Sequence, residues 1–430
     1  MWTRHGIVPV LIDSPFLVFG AFLPDPAHAQ DRLLACRPVL LTAGMALIIF
    51  VWTRRLTSQP AWAFVVALMA VFSTILWPYA YIGLEDTQSF FLLLSSYLAF
   101  ECTPARTWPG TILFAFSSAL AICCKSTGAF LIPAVGFLIW MAFLRRGGRH
   151  GPRLAFLLVV VVTVFGASAY SRSFFWKTFG SSGNFLRFWL IPDPIYFLAN
   201  LFSFFFSTNK GFFFYCPLLL VAAVCLPKLW RTQRNLVIFS GGLAGGFSLL
   251  RVWSDETWGP RYLHSAIAPM AVCLGVACAL GTRRLKGVIG CAAALGFVFS
   301  FLGAFFYYGY VHGAMTEAGQ DTLENIQSDI VWNPIRFDAR LLWIWGKQVH
   351  RATFTPSHQW YYAVPPGVAW KPVEISKYAV PQPFMVHLWR ADISGALLYL
   401  RRAMLVSMIL GFMLLASVAL SAPRPSPNGP

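Results

Sequence analysis

Long apolar runs of 15 to 22 residues repeat along almost the whole chain. An α-helix needs roughly 20 apolar residues to cross a bilayer, and it satisfies its own backbone hydrogen bonds there. We therefore predict an all-α, polytopic membrane protein with about eleven spans. The predicted spans are residues 38–53, 61–82, 87–101, 109–124, 128–144, 153–171, 211–226, 236–252, 263–281, 287–308 and 401–421.

The composition excludes a soluble globular protein. Only 11% of the 430 residues are charged and 57% are hydrophobic, whereas soluble domains carry about 25% charged residues. This number of charged residues is too small to cover a surface exposed to water. Most of the surface is therefore expected to face lipid.

The basic residues set the expected orientation. A net charge of +17 would suggest a nucleic-acid partner in a soluble protein, but no basic groove with interleaved aromatic residues is present, which excludes that class. The basic residues instead fill short connectors, which the positive-inside rule assigns to the cytoplasm of a multi-pass inner (plasma) membrane protein. These connectors contain Arg54 and Arg55; Arg145, Arg146, Arg149 and Arg153; Lys228, Arg231 and Arg234; and Arg283, Arg284 and Lys286.

Five segments follow from this topology. The odd number of spans leaves the N-terminal segment outside, so either residues 6–22 cross the membrane, or they form an interfacial helix and an upstream span is absent. Asp13, between Pro9 and Pro15, is a costly centre for a span and favours the interfacial helix. The segments are an N-terminal interfacial or juxtamembrane segment at 1–37, a transmembrane core at 38–308, an extracytoplasmic segment at 309–400, a last helix at 401–421 and a disordered cytoplasmic tail at 422–430.

Cysteine and histidine residues predict no metal site. The nine cysteines lie in or at the ends of apolar runs, where they are expected to act as small hydrophobic residues. His350 and His358 have no third ligand nearby in the sequence. Nothing in the sequence requires a cofactor, and a role for a divalent metal remains open.

Ionisable residues at the predicted outer ends of spans are candidates for function, because a lipid-facing scaffold has no need of them. Glu85 and Asp86 follow one span, although Asp86 could simply cap the next helix. Lys125 begins a tight turn, where it could also extend to lipid headgroups. Asn209 and Lys210 form a third turn, with an ammonium group beside small hydrogen-bonding groups.

The fourth cluster, at residues 253–262, is the most specific. An aromatic belt would explain Trp258 and Tyr262. It would not explain Arg261, which follows a Gly-Pro pair that fixes the backbone. The guanidinium group of Arg261 can hold a phosphate through two parallel hydrogen bonds. Together the four clusters predict an outer-leaflet site for an anionic lipid headgroup, and transfer from the lipid, transport of the lipid and plain recognition remain open.

Three motifs resemble a known family. They are WGPRYL at 258–263 followed by Pro269, KGFFFYCPLL at 210–219, and KSTG at 125–128 followed by Pro133. In order and content they resemble the bacterial lipid-carrier-dependent glycosyltransferases of the GT-C class, which are related to protein O-mannosyltransferases and to the aminoarabinose transferase of lipid A.

The resemblance implies an inverting enzyme with a polyprenyl-phosphate sugar as donor, an extracytoplasmic site and an acceptor lipid, glycan or protein. Lys125, Lys210 and Arg261 would meet the donor phosphate. Glu85 is the first candidate to position the acceptor or a metal, and Asp86 is the second. The sugar pocket would contain Trp258, Tyr262 and Asn209.

One departure from the family concerns its principal catalytic aspartate, which follows a first transmembrane helix. Asp13, Asp25 and Asp31 do not lie in the matching context. We therefore expect that the chain starts late and that the polypeptide is inactive as it stands. The alternatives are a transporter or flippase of lipid-linked sugars, whose internal repeats are not seen, and a non-catalytic membrane scaffold.

Tryptophan is dense in the segment 309–400. These residues could stack on sugar rings, but anchoring at headgroup depth is the stronger interpretation. Alternation at 360–364 also predicts short strands.

Overall fold

A computed structural model describes residues 7–22, 26–80, 119–121, 194–248, 263–307, 309–320, 332–349 and 373–379. Regular structure in these residues is helical, apart from an isolated bridge at Glu374. The helices are Ile7–Ala21, Pro26–Thr57, Pro60–Phe72, Leu76–Tyr79, Pro194–Phe206, Phe212–Tyr215, Pro217–Leu229, Arg234–Ser248, His264–Leu280, Arg283–Phe305, Gly309–Ala318 and Pro334–Val349, with a 3₁₀ turn at Ser376–Tyr378.

Two described helices are long and apolar enough to cross a membrane, Arg37–Thr57 and Arg283–Phe305. They overlap the predicted spans 38–53 and 287–308. Three shorter apolar helices overlap further predicted spans: Pro60–Phe72, Pro217–Leu229 and His264–Leu280. The predicted spans at 87–101, 128–144, 153–171 and 401–421, most of 109–124, and the predicted strands at 360–364 lie outside the described residues.

The first two helices form an antiparallel hairpin. Gln30 Nε2 donates a hydrogen bond to the Leu17 carbonyl oxygen at 3.0 Å. Further along the hairpin, the Arg37 guanidinium group pairs with the Asp13 carboxylate. Residues 6–22, predicted as an interfacial helix, thus contain a helix that packs along the following one.

Replacing Arg37 with methionine is expected to destabilise this hairpin by about 1–3 kcal/mol, because the partly buried Asp13 carboxylate loses its charged hydrogen-bond partner. Thermal unfolding in detergent measures the effect. Adding Asp13→Asn should restore part of the loss, since the amide carries no charge. Arg55→Met, at an exposed position of the same helix, is the control. A melting temperature of Arg37→Met equal to that of the control would contradict the expectation.

The helix His264–Leu280 forms the centre of the bundle. All its residues from His264 to Cys278 are buried, as expected for a helix that is apolar on every face. It packs against the helices Pro26–Thr57, Pro60–Phe72, Pro217–Leu229 and Arg234–Ser248. This helix starts directly after the WGPRYL motif, so the bundle fixes the point where that motif enters the core.

The predicted span at 61–82 is interrupted. Its first helix ends at Phe72, and a short helix restarts at Leu76. The Thr74 hydroxyl group donates to the Ala70 carbonyl oxygen at 2.5 Å and accepts from the Leu76 N–H at 3.3 Å. Ser300, which is far away in the sequence, donates to the Thr74 carbonyl oxygen at 2.8 Å. Side-chain hydrogen bonds thus satisfy backbone groups where the helix is interrupted.

Two of the predicted basic connectors, those of Arg55 and Lys286, lie close together at one end of the bundle. Lys286 Nζ lies 4.7 Å from the centroid of the Trp62 ring, so the connector before the long helix Arg283–Phe305 is next to the one that follows Arg55. At the other end of that long helix, the rings of Trp77 and Phe301 are 6.1 Å apart. The short helix that carries Trp77 is therefore at the end away from these basic connectors.

The C-terminal segment, residues 309–400, contributes a second and smaller apolar cluster that continues from the end of the long helix. The cluster is closed at its edge by a hydrogen bond of 2.7 Å from the Tyr378 hydroxyl group to Glu317 Oε1. Its buried residues include Phe305, Phe306, Val311, Met315, Trp332, Phe337, Leu341, Ile344, Val373 and Ile375.

Candidate functional site

A tight turn at residues 207–211, named here the Lys210 turn, joins the helices Pro194–Phe206 and Phe212–Tyr215. The Gly211 N–H donates to the Ser207 carbonyl oxygen at 2.7 Å. The Asn209 N–H donates to Ser207 Oγ at 3.2 Å. The turn is held by its own polar groups, which fix the backbone that carries Asn209 and Lys210.

Gly211 allows the Lys210 turn to close this tightly. A Cβ atom at this position would lie 2.4 Å from the Ser207 carbonyl oxygen and 2.5 Å from the Ser207 nitrogen. Real Cβ atoms essentially never approach other atoms so closely. The backbone torsions of Gly211, φ −67° and ψ 137°, are open to any residue, so the requirement for glycine comes from the close approach of the backbone.

Asn209 and Lys210 are buried inside the protein. Asn209 has no exposed surface, and only 3% of Lys210 is exposed. Both have further contacts in the folded chain. A buried ammonium group is stable only beside groups that compensate its charge and accept its hydrogen bonds, so the contacts of Lys210 within the folded chain are expected to do this.

A residue of the C-terminal segment, Asn333, binds the Lys210 turn. Asn333 Nδ2 donates to the Thr208 carbonyl oxygen at 2.5 Å. Asn333 Oδ1 accepts from the Arg336 N–H at 2.9 Å, so the same side chain caps the helix Pro334–Val349. One amide group thus starts this helix and docks it on the turn.

Asp338, on the capped helix, is 3% exposed. Its Oδ2 atom makes no hydrogen bond within the described part of the chain. Burial raises the pKa of the Asp338 carboxyl group well above its usual range. Burial also raises the pKa of Tyr310, with smaller contributions from Tyr307 and Asp338. Tyr215, five residues after Lys210, is within electrostatic range of Asp338.

Tyr79 and His264 bring two further motifs to this place. The centroids of their rings are 5.1 Å apart, and Tyr79 also interacts electrostatically with Tyr215. Tyr79 precedes Glu85 by six residues, and His264 follows Arg261 by three. The Tyr79 and His264 rings thus pack together, and Tyr215 interacts electrostatically with both Tyr79 and Asp338.

Of the residues predicted from the sequence, the structure describes Asn209 and Lys210, and it places them together in the buried turn. The remaining predicted site residues lie outside the described residues: Glu85, Asp86, Lys125, Trp258, Arg261 and Tyr262. Cys216, Cys225, Cys273 and Cys278 are buried as free thiols. Within the described ranges, no group of three or more His, Cys, Asp or Glu residues could hold a metal ion.

Sequence reasoning missed Asp338, although a signal was present. Phe337, Leu341 and Ile344 are buried on one face of their helix, and Asp338 follows Phe337 by one residue and precedes Leu341 by three. A carboxylate at a core-facing position of an amphipathic helix is rare and marks a candidate functional group.

Comparison with known proteins gives one structural similarity. No protein-family model and no curated protein matches the chain. The fold is similar to the crystal structure of ArnT from Cupriavidus metallidurans bound to undecaprenyl phosphate, with a TM-score of 0.44 and 16% sequence identity. The match covers 79% of this chain and 60% of that one, so the chain spans less than two thirds of the length of the protein it resembles.

Proposed function

We propose that this chain is a membrane glycosyltransferase that moves a sugar from a polyprenyl-phosphate donor to an extracytoplasmic acceptor. The proposal depends chiefly on one observation. Tyr215, five residues after the buried Lys210, interacts electrostatically with Tyr79, and the Tyr79 ring lies 5.1 Å from the His264 ring. Tyr79 precedes the connector that carries Glu85, and His264 follows the one that carries Arg261.

Chain reach supports this grouping of the motifs. Three residues span at most about 11 Å, which limits the distance from His264 to Arg261. Six residues span at most about 22 Å, which limits the distance from Tyr79 to Glu85. These limits keep Arg261 and Glu85 within reach of a polyprenyl-phosphate sugar bound beside Tyr79 and His264, as the proposal requires.

The chemistry of these groups fits transfer from a lipid phosphate. Lys210, with Lys125 and Arg261, would stabilise the negative charge that grows on the phosphate as the bond to the sugar breaks. Trp258, Tyr262 and Asn209 would contact the sugar. Glu85 and Asp86 would position the acceptor or a divalent metal.

The position of the site along the bundle suits a lipid donor. Tyr79 lies at the end of the bundle away from the Arg55 and Lys286 connectors. If the positive-inside rule holds for these connectors, the site faces the extracytoplasmic leaflet of the inner membrane. A phosphate at headgroup depth would reach it while the polyprenyl chain stays in the bilayer.

A transfer assay in proteoliposomes tests the proposal. The donors are polyprenyl-phosphate hexoses and pentoses labelled in the sugar, and a crude cell-envelope fraction supplies acceptors. Lys210→Met is expected to lower the transfer rate at least about 100-fold, because a stabilising charge at the leaving phosphate is lost. Arg261→Ala should act in the same direction.

Lys228→Met is the matched control, because Lys228 is exposed in the last turn of the helix Pro217–Leu229. Its transfer rate should stay within about twofold of the wild type. A Lys210→Met variant as fast as this control would reject the assigned phosphate site. Movement of intact labelled donor across the membrane without its consumption would instead identify a flippase.

A further inference from the structure

Asp338 is a buried carboxyl group that the proposed function does not yet use. Its Oδ2 atom is buried and accepts no hydrogen bond from any described residue, and no described cation forms a salt bridge with the carboxyl group. Such an arrangement destabilises a folded protein, because each unsatisfied buried polar atom costs free energy, and buried ionisable groups of this kind are concentrated at functional sites.

One hydrogen bond and one electrostatic interaction relate the helix of Asp338 to the Lys210 turn and the short helix that follows it. Asn333 binds the Thr208 carbonyl oxygen, and Asp338 follows five residues later along the helix, a rise of about 7.5 Å. Tyr215 lies one helical turn beyond Gly211, whose carbonyl oxygen accepts from the Tyr215 N–H at 3.1 Å. Asp338 and Tyr215 then interact across the two segments.

Two aromatic hydroxyl groups interact electrostatically with Asp338, those of Tyr215 in the membrane bundle and Tyr310 on the helix Gly309–Ala318. Tyr215 also interacts electrostatically with Tyr79, and the Tyr307 and Tyr310 rings are 5.4 Å apart. Phenol groups and a carboxyl group are the kinds of side chain that hydrogen-bond the hydroxyl groups of a sugar or an alcohol.

We propose that Asp338 is the general base of this site and takes the proton of the acceptor hydroxyl group during transfer. This inference depends on the proposed function. The acceptor oxygen forms a bond to the anomeric carbon of the sugar, and the bond from that carbon to the phosphate oxygen breaks. The electron pair leaves with the polyprenyl phosphate, near Lys210, and the acceptor proton moves to Asp338 Oδ2.

The environment of Asp338 suits this role. A carboxylate with an ordinary pKa is a weak base at neutral pH, whereas a pKa closer to the working pH makes proton transfer more effective. Burial moves the pKa of Asp338 in that direction. Transfer catalysed by wild-type protein should therefore rise with pH through the folded-state pKa of Asp338, because only the ionised form can accept the proton.

Stability should change with pH in the opposite direction. The folded-state pKa lies above the unfolded-state value, so the folded protein binds the proton more tightly. The contribution of Asp338 to stability is fully present below the unfolded-state pKa and is lost as the pH rises through the folded-state pKa. Asp338→Asn should remove this part of the pH dependence of the melting temperature.

Steady-state kinetics of Asp338→Asn test the proposal. We expect kcat to fall at least about 100-fold, which is the lower range for loss of a general base. KM for the labelled donor should stay within about threefold, the melting temperature should be unchanged or higher, and the pH dependence of kcat should become flat. Asp338→Glu should recover part of the rate, since it retains a carboxyl group.

Glu317→Gln is the control, because Glu317 is an exposed carboxylate of the same segment and accepts a hydrogen bond of 2.7 Å from the Tyr378 hydroxyl group that a glutamine oxygen can also accept. It should transfer sugar at the wild-type rate. An Asp338→Asn variant with wild-type kcat and pH profile would overturn the assignment, and so would one that loses activity together with melting temperature. If the wild type transfers no sugar, the proposed function fails and this inference fails with it.

Discussion

Gly211→Ala is expected to abolish sugar transfer, with a loss of at least about 100-fold, and to destabilise the protein by about 1–3 kcal/mol. The added Cβ atom would lie 2.4 Å from the carbonyl oxygen of Ser207 and 2.7 Å from the carbonyl carbon of Phe206. These are backbone atoms, so no side-chain rotation can relieve the contact. The turn must open, which breaks the bond from the Gly211 N–H and moves Lys210 out of its buried position.

The transfer assay and thermal unfolding in detergent together measure this effect. Gly241→Ala is the matched control, because Gly241 is exposed in the helix Arg234–Ser248 and a Cβ atom there meets nothing within 4 Å. Alanine at that position should raise stability by about 0.5–1 kcal/mol, since glycine is unfavourable inside a helix. If Gly211→Ala matches this control in both measurements, the Lys210 turn is not the rigid element described above.

The elements nearest the site could be predicted from local signals. The run Ser-Thr-Asn-Lys-Gly at 207–211 is rich in turn-forming residues, and it does form a turn. Pro217 stands at the first position of its helix, where proline is favoured. Such local preferences act over a few residues, so a single sequence is enough to reveal them.

Interruptions within apolar segments could not be predicted in the same way. Residues 61–82 have the hydropathy of one continuous span, yet the helix breaks after Phe72. The break depends on the Thr74 hydroxyl group and on Ser300, which is 226 residues away. Hydropathy averages over a window and contains no information about such distant partners.

The position of the C-terminal segment depends on distant contacts as well. Asn333 binds Thr208 across 125 residues, and Asp338 is on the helix that this hydrogen bond and the apolar cluster of the segment hold in place. The burial of the tryptophans in this segment also could not be predicted from the sequence. Trp332 is 2% exposed, and the Trp345 ring packs 4.9 Å from Phe305, so both contribute to the apolar cluster of the segment, whereas Trp343 is 46% exposed.

The second large effect is expected for Gly296→Ala. A Cβ atom at this position would lie 2.3 Å from the Ser73 carbonyl oxygen and 3.1 Å from its carbonyl carbon. The glycine thus lets the long helix Arg283–Phe305 approach the break between the helices Pro60–Phe72 and Leu76–Tyr79. We expect destabilisation by about 3 kcal/mol, at the upper end for overpacking, because two backbone segments must separate.

Gly290→Ala, on the same helix, is the control for this change. Gly290 is exposed, and a Cβ atom there meets nothing within 4 Å. The control should melt at or above the wild-type temperature in detergent, and Gly296→Ala should melt well below it. Equal melting temperatures would show that the close approach at Ser73 is not needed.

Transfer should also fall in Gly296→Ala, and the reason is geometric. Ser300, one turn further along the helix, bonds the Thr74 carbonyl oxygen at 2.8 Å, and the short helix that follows the break carries Tyr79 to the His264 ring. When the long helix moves away, the break loses this bond and Tyr79 loses its fixed place. An inactive Gly296→Ala protein beside a fully active Gly290→Ala protein would therefore link the packing of the bundle to the assembly of the site.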